Sequence, residues 1–317
     1  MSPATRSLPL TGALAAAVLL AGCGQLGGDQ ASDGRRAVAS FYPLAWVTEQ
    51  VAGDSWTVDN LTQPGQEPHD LSLTIAQTAA LEDAGLIVLE EGFQPAVDAA
   101  AEGSDAPVVD AAAVVDLQAA EHTEGESEEE HAEHSGEEGE EHDHGDLDPH
   151  FWLDPLLVAD FADAVAAELA DVDPDGATTY ADNAAALRTE LETLDQEFTD
   201  GLAGCERSTT VVSHDAFGYL ARYGLDFEPI AGLSPDAEPT AADLGRLQSL
   251  ITSDGVTTVF SERLVSAKMA DTLAGDLGVT TAVLDPIEGL SDETSDEDYL
   301  SLMRENLTAL REANGCS

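Results

Sequence analysis

The chain predicts an α/β protein of two lobes, each a βα sandwich around a mainly parallel sheet, joined by a long rigid helix. Three observations carry this. Short β-like runs alternate with helical stretches along both halves, the signature of parallel βαβ units. One long stretch with apolar residues every three or four positions separates the halves. With a leader set aside, a chain of 317 residues still has length for two domains with cores of their own.

Residues 1–22 read as an export leader: Arg6, an apolar stretch from Leu8 to Ala21, and Leu20, Ala21 and Gly22 directly ahead of Cys23. The stretch is shorter than the run of about 20 apolar residues that a membrane span needs. Small residues before a cysteine resemble a bacterial lipobox, in which cleavage ahead of Cys23 lets that cysteine carry lipid. An ordinary secretory signal with an incidental cysteine is the plainer alternative. Residues 23–35, with Gly27, Gly28, Ser32 and Gly34, then form a flexible tether.

The N-terminal lobe is expected over residues 36–172. Ala37 to Tyr42 is a short apolar run, Pro43 to Val51 is helical in pattern, Trp56 to Leu61 is β-like, and Thr74 to Asp83 is helical. Leu86 to Leu89 and Val108 to Asp110 supply further strands. Residues 121–146 break the order, being nearly all Glu, His, Gly and Ser. Such a run cannot bury enough apolar surface to offset its ordering entropy and is expected to be a disordered loop.

Residues 173–204 are expected as the linking helix. Ala177, Tyr180, Ala184, Leu187, Leu191, Leu194 and Phe198 fall on one face, with Asp173 as N-cap and Pro174 at the first helical position. At 1.5 Å per residue it would run about 40 Å, enough to cross two domains, although a plain surface helix shows the same pattern. The C-terminal lobe, residues 205–317, repeats the alternation. Thr209 to Ser213, Phe227 to Ala231, Val256 to Ser261 and Thr280 to Leu284 are β-like. Asp215 to Tyr223, Thr240 to Thr252, Ser266 to Asp276 and Asp296 to Ala313 are helical. With Cys23 set aside, Cys205 and Cys316 are an even pair in an oxidising compartment and candidates for a disulfide.

A net charge of −52, with Lys268 the only lysine, repels nucleic acid and anionic membrane surfaces and attracts cations. Because the acids are spread along the chain, a high-salt habitat explains them equally well. The histidines are more specific. His69, His150 and His214 stand alone in ordered-looking sequence, whereas His122, His131, His134, His142 and His144 crowd into the acidic run. Imidazole is the commonest protein ligand for zinc, and three imidazoles plus a carboxylate fill a tetrahedral shell. His214 follows the strand TTVVS, Asp285 follows TTAVL, His69 lies in a Pro/Gly loop after TVDNL, and His150 precedes Trp152 and Asp154. Ligands of open α/β sheets gather at such strand ends. Taken singly, each histidine is also compatible with an ordinary hydrogen-bonding role.

PHD at 68–70, DPHFWLDP at 148–155, VVSHDAFGYLARYGL at 211–225, SPDAEPT at 234–240, FSERLVSAKMADTLAGDLG at 260–278 and LDP at 284–286 add a resemblance. Together they resemble the zinc-uptake branch of the cluster A-I substrate-binding lipoproteins of ABC importers, over nearly the whole chain after the leader. The resemblance implies a metal held between two lobes by His69, His150, His214 and, as fourth ligand, Asp285. Some members carry an acid directly before the first histidine, where this chain has Pro68 and, one residue earlier, Glu67. Glu67, Asp285, Glu262 or water therefore remain open for the fourth place, and Asp285 is favoured because a short carboxylate after a strand is easily aimed into a cleft. The acidic histidine run resembles the loop that zinc-uptake members carry, able to bind zinc weakly; a solvated linker is its plainer reading.

The implied function is extracytoplasmic capture of Zn2+ as transported ligand. Its partners would be a permease and ATPase subunits, its membrane contact a lipid anchor on the outer face, and its working state a monomer. The chain has no Gly-rich Walker loop and no HExxH, and no catalysis is expected of it. The competing readings are a manganese or iron carrier, a zinc hydrolase with a water in an open coordination position, and an adhesin.

Overall fold

The structure is a computed structural model that describes residues 35–120 and 147–317. The N-terminal lobe runs β1 (Arg36–Ala39), α1 (Tyr42–Ala52), β2 (Thr57–Asn60), α2 (Ile75–Glu82), β3 (Leu86–Leu89), α3 (Pro95–Ala101), β4 (Val108–Asp110) and the single turn α4 (Ala111–Val114). Its strands pair in the order β2-β1-β3-β4, all parallel. Helices cover both faces of such a sheet, so central strands carry apolar residues without alternation. β3, LIVL, is buried at every position. Thr74 and Gln77 make a capping box that starts α2 as its sequence demands.

Two helices leave this lobe, α5 (Pro155–Val172) and α6 (Ala177–Gly201). The first is absent from the sequence reading, because its apolar residues exceed one stripe: Val158, Phe161, Val165 and Leu169 are buried, and so are Ala159, Ala162 and Ala166. Its start carries the same Asp-then-Pro signal that the sequence shows at Asp173 and Pro174. Asp154 accepts the Leu156 amide at 2.8 Å with Pro155 at the first helical position. Asp173 makes no such cap. Pro174–Gly176 is a 3-10 turn, and the Asp173 carboxylate accepts Tyr180 Oη at 2.6 Å and pairs with Arg35 at 2.8 Å. Gly176 is required there, since a Cβ would lie 2.4 Å from the Tyr180 ring.

α6 buries Tyr180, Ala184, Leu187, Leu191, Leu194 and Phe198, the predicted face apart from its half-buried first member Ala177. Twenty-five residues extend about 38 Å at 1.5 Å per residue. Asn183 near its start donates to Val51 O of α1 at 2.9 Å. Asp195 near its end accepts Tyr223 Oη at 2.9 Å. The helix thus touches both lobes and joins them.

The C-terminal lobe runs β5 (Thr209–Val212), a 3-10 turn Gly218–Tyr223 where an ordinary helix was expected, β6 (Asp226–Pro229), α7 (Ala241–Asp254), β7 (Thr258–Ser261), α8 (Lys268–Leu277), β8 (Thr280–Val283) and α9 (Tyr299–Asn314). The sheet order is β6-β5-β7-β8, again parallel, so both lobes share one topology. Cys205, just past α6, is bonded to Cys316, just past α9.

The shared topology gives corresponding positions. Val211 pairs with Val259 in one sheet and Ala39 with Val88 in the other. Counting on from each pair sets His214 beside Glu262 and Phe41 beside Glu90. These are the carboxyl ends of the strands at which each sheet reverses its order, the place where such folds bind ligands. Among the described residues no helix is long and apolar enough to cross a membrane.

Candidate metal centre

His214 stands two residues past β5, on backbone that turns into the 3-10 segment. Its Nδ1 lies 2.6 Å from Glu262 Oε1, one residue past β7, and Ser213 Oγ donates to the same oxygen. His150 is built the same way from a different chain segment. Its Nδ1 lies 2.8 Å from Asp148 Oδ1, which also accepts the His150 amide at 3.0 Å. Tyr219 Oη donates to the Asp148 carbonyl at 2.7 Å, and Gly218 leaves room for the carboxylate, since a Cβ there would meet Asp148 Oδ2 at 2.9 Å. A carboxylate on Nδ1 fixes each ring's tautomer and turns the Nε2 lone pair the other way.

His69 lies in the irregular segment between β2 and α2. Glu67 Oε1 accepts its amide at 3.1 Å, and its ring packs edge-on against Phe93 with centroids 4.6 Å apart. Its side chain keeps 13% exposure, whereas His150 and His214 are fully buried. All three Nε2 atoms point at one carboxylate oxygen, Glu288 Oε1: His69 at 3.3 Å, His150 at 3.4 Å and His214 at 3.4 Å. The four ligand atoms lie within 4.8 Å of one another. His150 Nε2 and His214 Nε2 are buried without a hydrogen-bond partner.

Ligands about 2.0–2.1 Å from a zinc ion at the centre of a tetrahedron stand about 3.3–3.4 Å apart. The three nitrogen-to-oxygen separations match that edge, and the orphaned nitrogens are the donor atoms such an ion would take. Burial opposes charge on His214, but Glu262 and Glu288 outweigh it and lift the imidazolium to about 10. Burial likewise opposes charge on His150, where Asp148 and Glu288 outweigh it and raise the ring. Burial favours the neutral form of Glu288, yet the surrounding imidazoles hold its carboxyl well below the usual range. Protons and a metal cation compete for this cup.

The structure brings His69, His150 and His214 together and leaves Asp285 out. Asp285 Oδ1 accepts the Ile287 amide at 2.8 Å, and Oδ2 faces Arg263 Nε at 3.4 Å. Burial pushes this carboxyl up to about 6 against the pull of the Ile287 amide and Arg263. The oxygen in the cup belongs to Glu288, three residues further along the same loop, which the sequence reading passed over. Ile287 is the only non-glycine residue of positive φ among the described residues, at 60°. A β-branched residue there costs about 1–3 kcal/mol, and the resulting turn sends the next side chain inward. The one local signal was Ile-Glu-Gly in a loop: a buried apolar residue pins the loop to the core, and Gly289 lets it pass close to Leu264 and Gln66.

Glu262 and Glu67 lie beside the cup. Glu262 holds His214 Nδ1, while Glu67 holds the His69 amide with its oxygen 3.9 Å from His69 Nε2. Cys23, the leader 1–22, and His122, His131, His134, His142 and His144 lie outside the described residues.

Fold and site define a two-lobed binding protein that has, among the described residues, one largely buried cup of three histidines and one carboxylate. Residues 37–313 match the family described as zinc-uptake complex component A, periplasmic (ZnuA), and the chain belongs to that family. The high-affinity zinc uptake system protein ZnuA of Bacillus subtilis (strain 168) is 36% identical over 307 residues, covering 93% of this chain and 94% of that one. The zinc-binding lipoprotein AdcA of Streptococcus pneumoniae (strain R6) is 33% identical over 289 residues; the match takes in 87% of this chain and 55% of AdcA, so the chain spans about half of that longer relative. Among solved structures, the Zn(II)-bound ZnuA-like domain of S. pneumoniae AdcA superposes with a TM-score of 0.71 at 32% identity, covering 88% of this chain and 98% of that domain. The laminin-binding protein Lmb of Streptococcus agalactiae, described as bifunctional with adhesin and metal-transporting activity, gives a TM-score of 0.76 at 28% identity over 88% of this chain and 99% of Lmb.

Proposed function

We propose that this chain captures Zn2+ outside the cytoplasm through His69, His150, His214 and Glu288 and delivers it to the permease of an ABC importer, whose ATPase subunits drive transport. The observation that carries the reading is the convergence of three imidazole Nε2 atoms on Glu288 Oε1 at 3.3–3.4 Å. Three nitrogens and one carboxylate oxygen are a donor set that zinc prefers, and manganese favours more oxygen and higher coordination numbers. With all four ligands engaged no position is left for the water that a zinc hydrolase needs. Family membership supports the same conclusion, a non-catalytic component of a zinc-uptake complex.

In this reading Cys23 carries the lipid that keeps the protein at the outer face of the membrane, and the histidines of residues 121–146 hold additional zinc weakly. Metal analysis of the purified protein with zinc and manganese titrations against a competing chelator tests the proposal. One tightly held zinc equivalent, preferred over manganese, is expected. Preference for manganese would move the assignment to the manganese carriers, and the lack of any tight site would refute it. Similarity to Lmb favours adhesion as a second role, checked by binding of the zinc-loaded chain to immobilised laminin.

A further inference from the structure

We propose that Asp285, Asn306 and Trp152 are positioning residues that make Glu288 the oxygen ligand, an inference that rests on the four-residue site above. Glu288 follows a turn that its own sequence disfavours, because Ile287 sits at φ 60°. Three hydrogen-bonding devices, from three parts of the chain, hold that turn. Asp285 Oδ1 accepts the Ile287 amide at 2.8 Å, closing the turn from within. Asn306 of α9 grips both polar groups of the Asp285 backbone: its Oδ1 accepts the amide at 2.9 Å and its Nδ2 donates to the carbonyl at 2.6 Å. Trp152 Nε1 donates to Pro286 O at 2.7 Å.

The last bond matters most for the cup. Trp152 is two residues after His150 and Pro286 is two residues before Glu288, so one hydrogen bond ties a nitrogen ligand from one half of the chain to the oxygen ligand from the other. The tie is itself braced. Tyr299 Oη of α9 donates to Trp152 O at 2.5 Å, and Tyr299 and Asn306 are two helical turns apart on the same face of α9. A second bond between the halves, Gly65 N to Leu290 O at 2.7 Å, lies on the far side of Glu288 and links to the loop of His69. Asp285, Asn306, Trp152 and Tyr299 are all buried, so water does not replace these contacts cheaply. Residues that orient metal ligands in this way typically change affinity by about 10–100-fold when removed.

The test uses the full chain and two readouts, zinc affinity against a chelator and the visible spectrum with one equivalent of Co2+, whose absorption is strong when four-coordinate and weak at higher coordination. Thermal unfolding without metal confirms that each variant folds. Glu288→Gln is the control on the site itself, and it weakens zinc and alters the cobalt spectrum. Asp285→Ala and Trp152→Phe are expected to lower zinc affinity about 10–100-fold and to move the cobalt spectrum in the direction of Glu288→Gln. Asp285→Asn keeps an oxygen for the Ile287 amide and is expected to recover most of the loss seen in Asp285→Ala. Equal losses in Asp285→Asn and Asp285→Ala would overturn the proposal, pointing to the Asp285 charge as the active feature. A wild-type cobalt spectrum in both Asp285→Ala and Trp152→Phe, with Glu288→Gln altered, would overturn the positioning role and spare the ligand set. A wild-type result for Glu288→Gln would remove the ligand set and this proposal with it.

Discussion

Replacing both Cys205 and Cys316 by serine should destabilise the protein through its unfolded state. The bridge closes a stretch of 111 residues. Chain entropy for a loop of that length amounts to about 4.8 kcal/mol at 25 °C, an upper figure because removing native bridges typically costs about 2–5 kcal/mol. The folded side loses little, since other contacts hold the same two segments together. Glu206 N and Arg207 N donate to Asn314 O at 3.0 and 3.1 Å, and Arg207 Nε and Nη2 reach Ala313 O at 3.3 and 3.1 Å. α9 also keeps Tyr299, Met303, Asn306 and Leu310 buried without the sulfurs. Urea unfolding followed by tryptophan fluorescence, on oxidised wild type, reduced wild type and the double serine variant, should give a lower and shared midpoint for the last two. Zinc affinity should stay close to wild type, because α9 still presents Asn306 and Tyr299. Coincident midpoints for oxidised and reduced protein would refute the entropic reasoning. Loss of zinc binding in the serine variant would show that the bridge sets the native placement of α9.

Three further outcomes are expected. His214→Glu should weaken zinc and narrow the zinc-to-manganese preference by adding carboxylate oxygen, while His214→Ala weakens both metals; wild-type zinc binding by both variants in chelator competition would remove His214 from the site. Deleting residues 121–146 should leave one tight zinc site and remove only weaker binding, and a short linker can close the gap because Ala119 and Leu147 are bridged; calorimetry showing loss of the tight site would overturn this. Glu90→Gln should stabilise the protein at pH 8. Glu90 has both carboxylate oxygens buried without partners, and burial, with the charges of Asp148, Asp110 and Asp98, pushes its carboxyl well above the usual range. A raised folded pKa means that wild type loses stability as pH climbs above the ordinary carboxyl value, so the advantage of the glutamine variant should shrink toward pH 4.5. Unfolding midpoints separated by the same amount at pH 5 and pH 8 would contradict it.

The repeated order of strands and helices, the buried face of α6 and the pairing of Cys205 with Cys316 were legible in the sequence, because periodicity, turn residues and cysteine number report local burial and compartment. His69, His150 and His214 stood out for the same kind of reason: isolated imidazoles at strand ends and loops have chemistry that shows without coordinates. α5 is not legible as an amphipathic helix because its apolar residues cover more than one stripe, and of the two Asp-Pro pairs only Asp154 caps a helix with its side chain. Glu288 shows most clearly what only the tertiary structure decides. Asp285 and Glu288 share one loop; the place directly after a strand favours Asp285, and Ile-Glu-Gly is too weak a local signal to rank Glu288 above it. In the positioning proposed above, the choice falls to Asn306, 21 residues downstream of Asp285, and to Trp152, 134 residues upstream of Pro286. Their hydrogen bonds help hold Ile287 in a backbone conformation it would not adopt unaided. A side chain's direction in a loop depends on where distant donors and acceptors come to rest, and no local pattern encodes that.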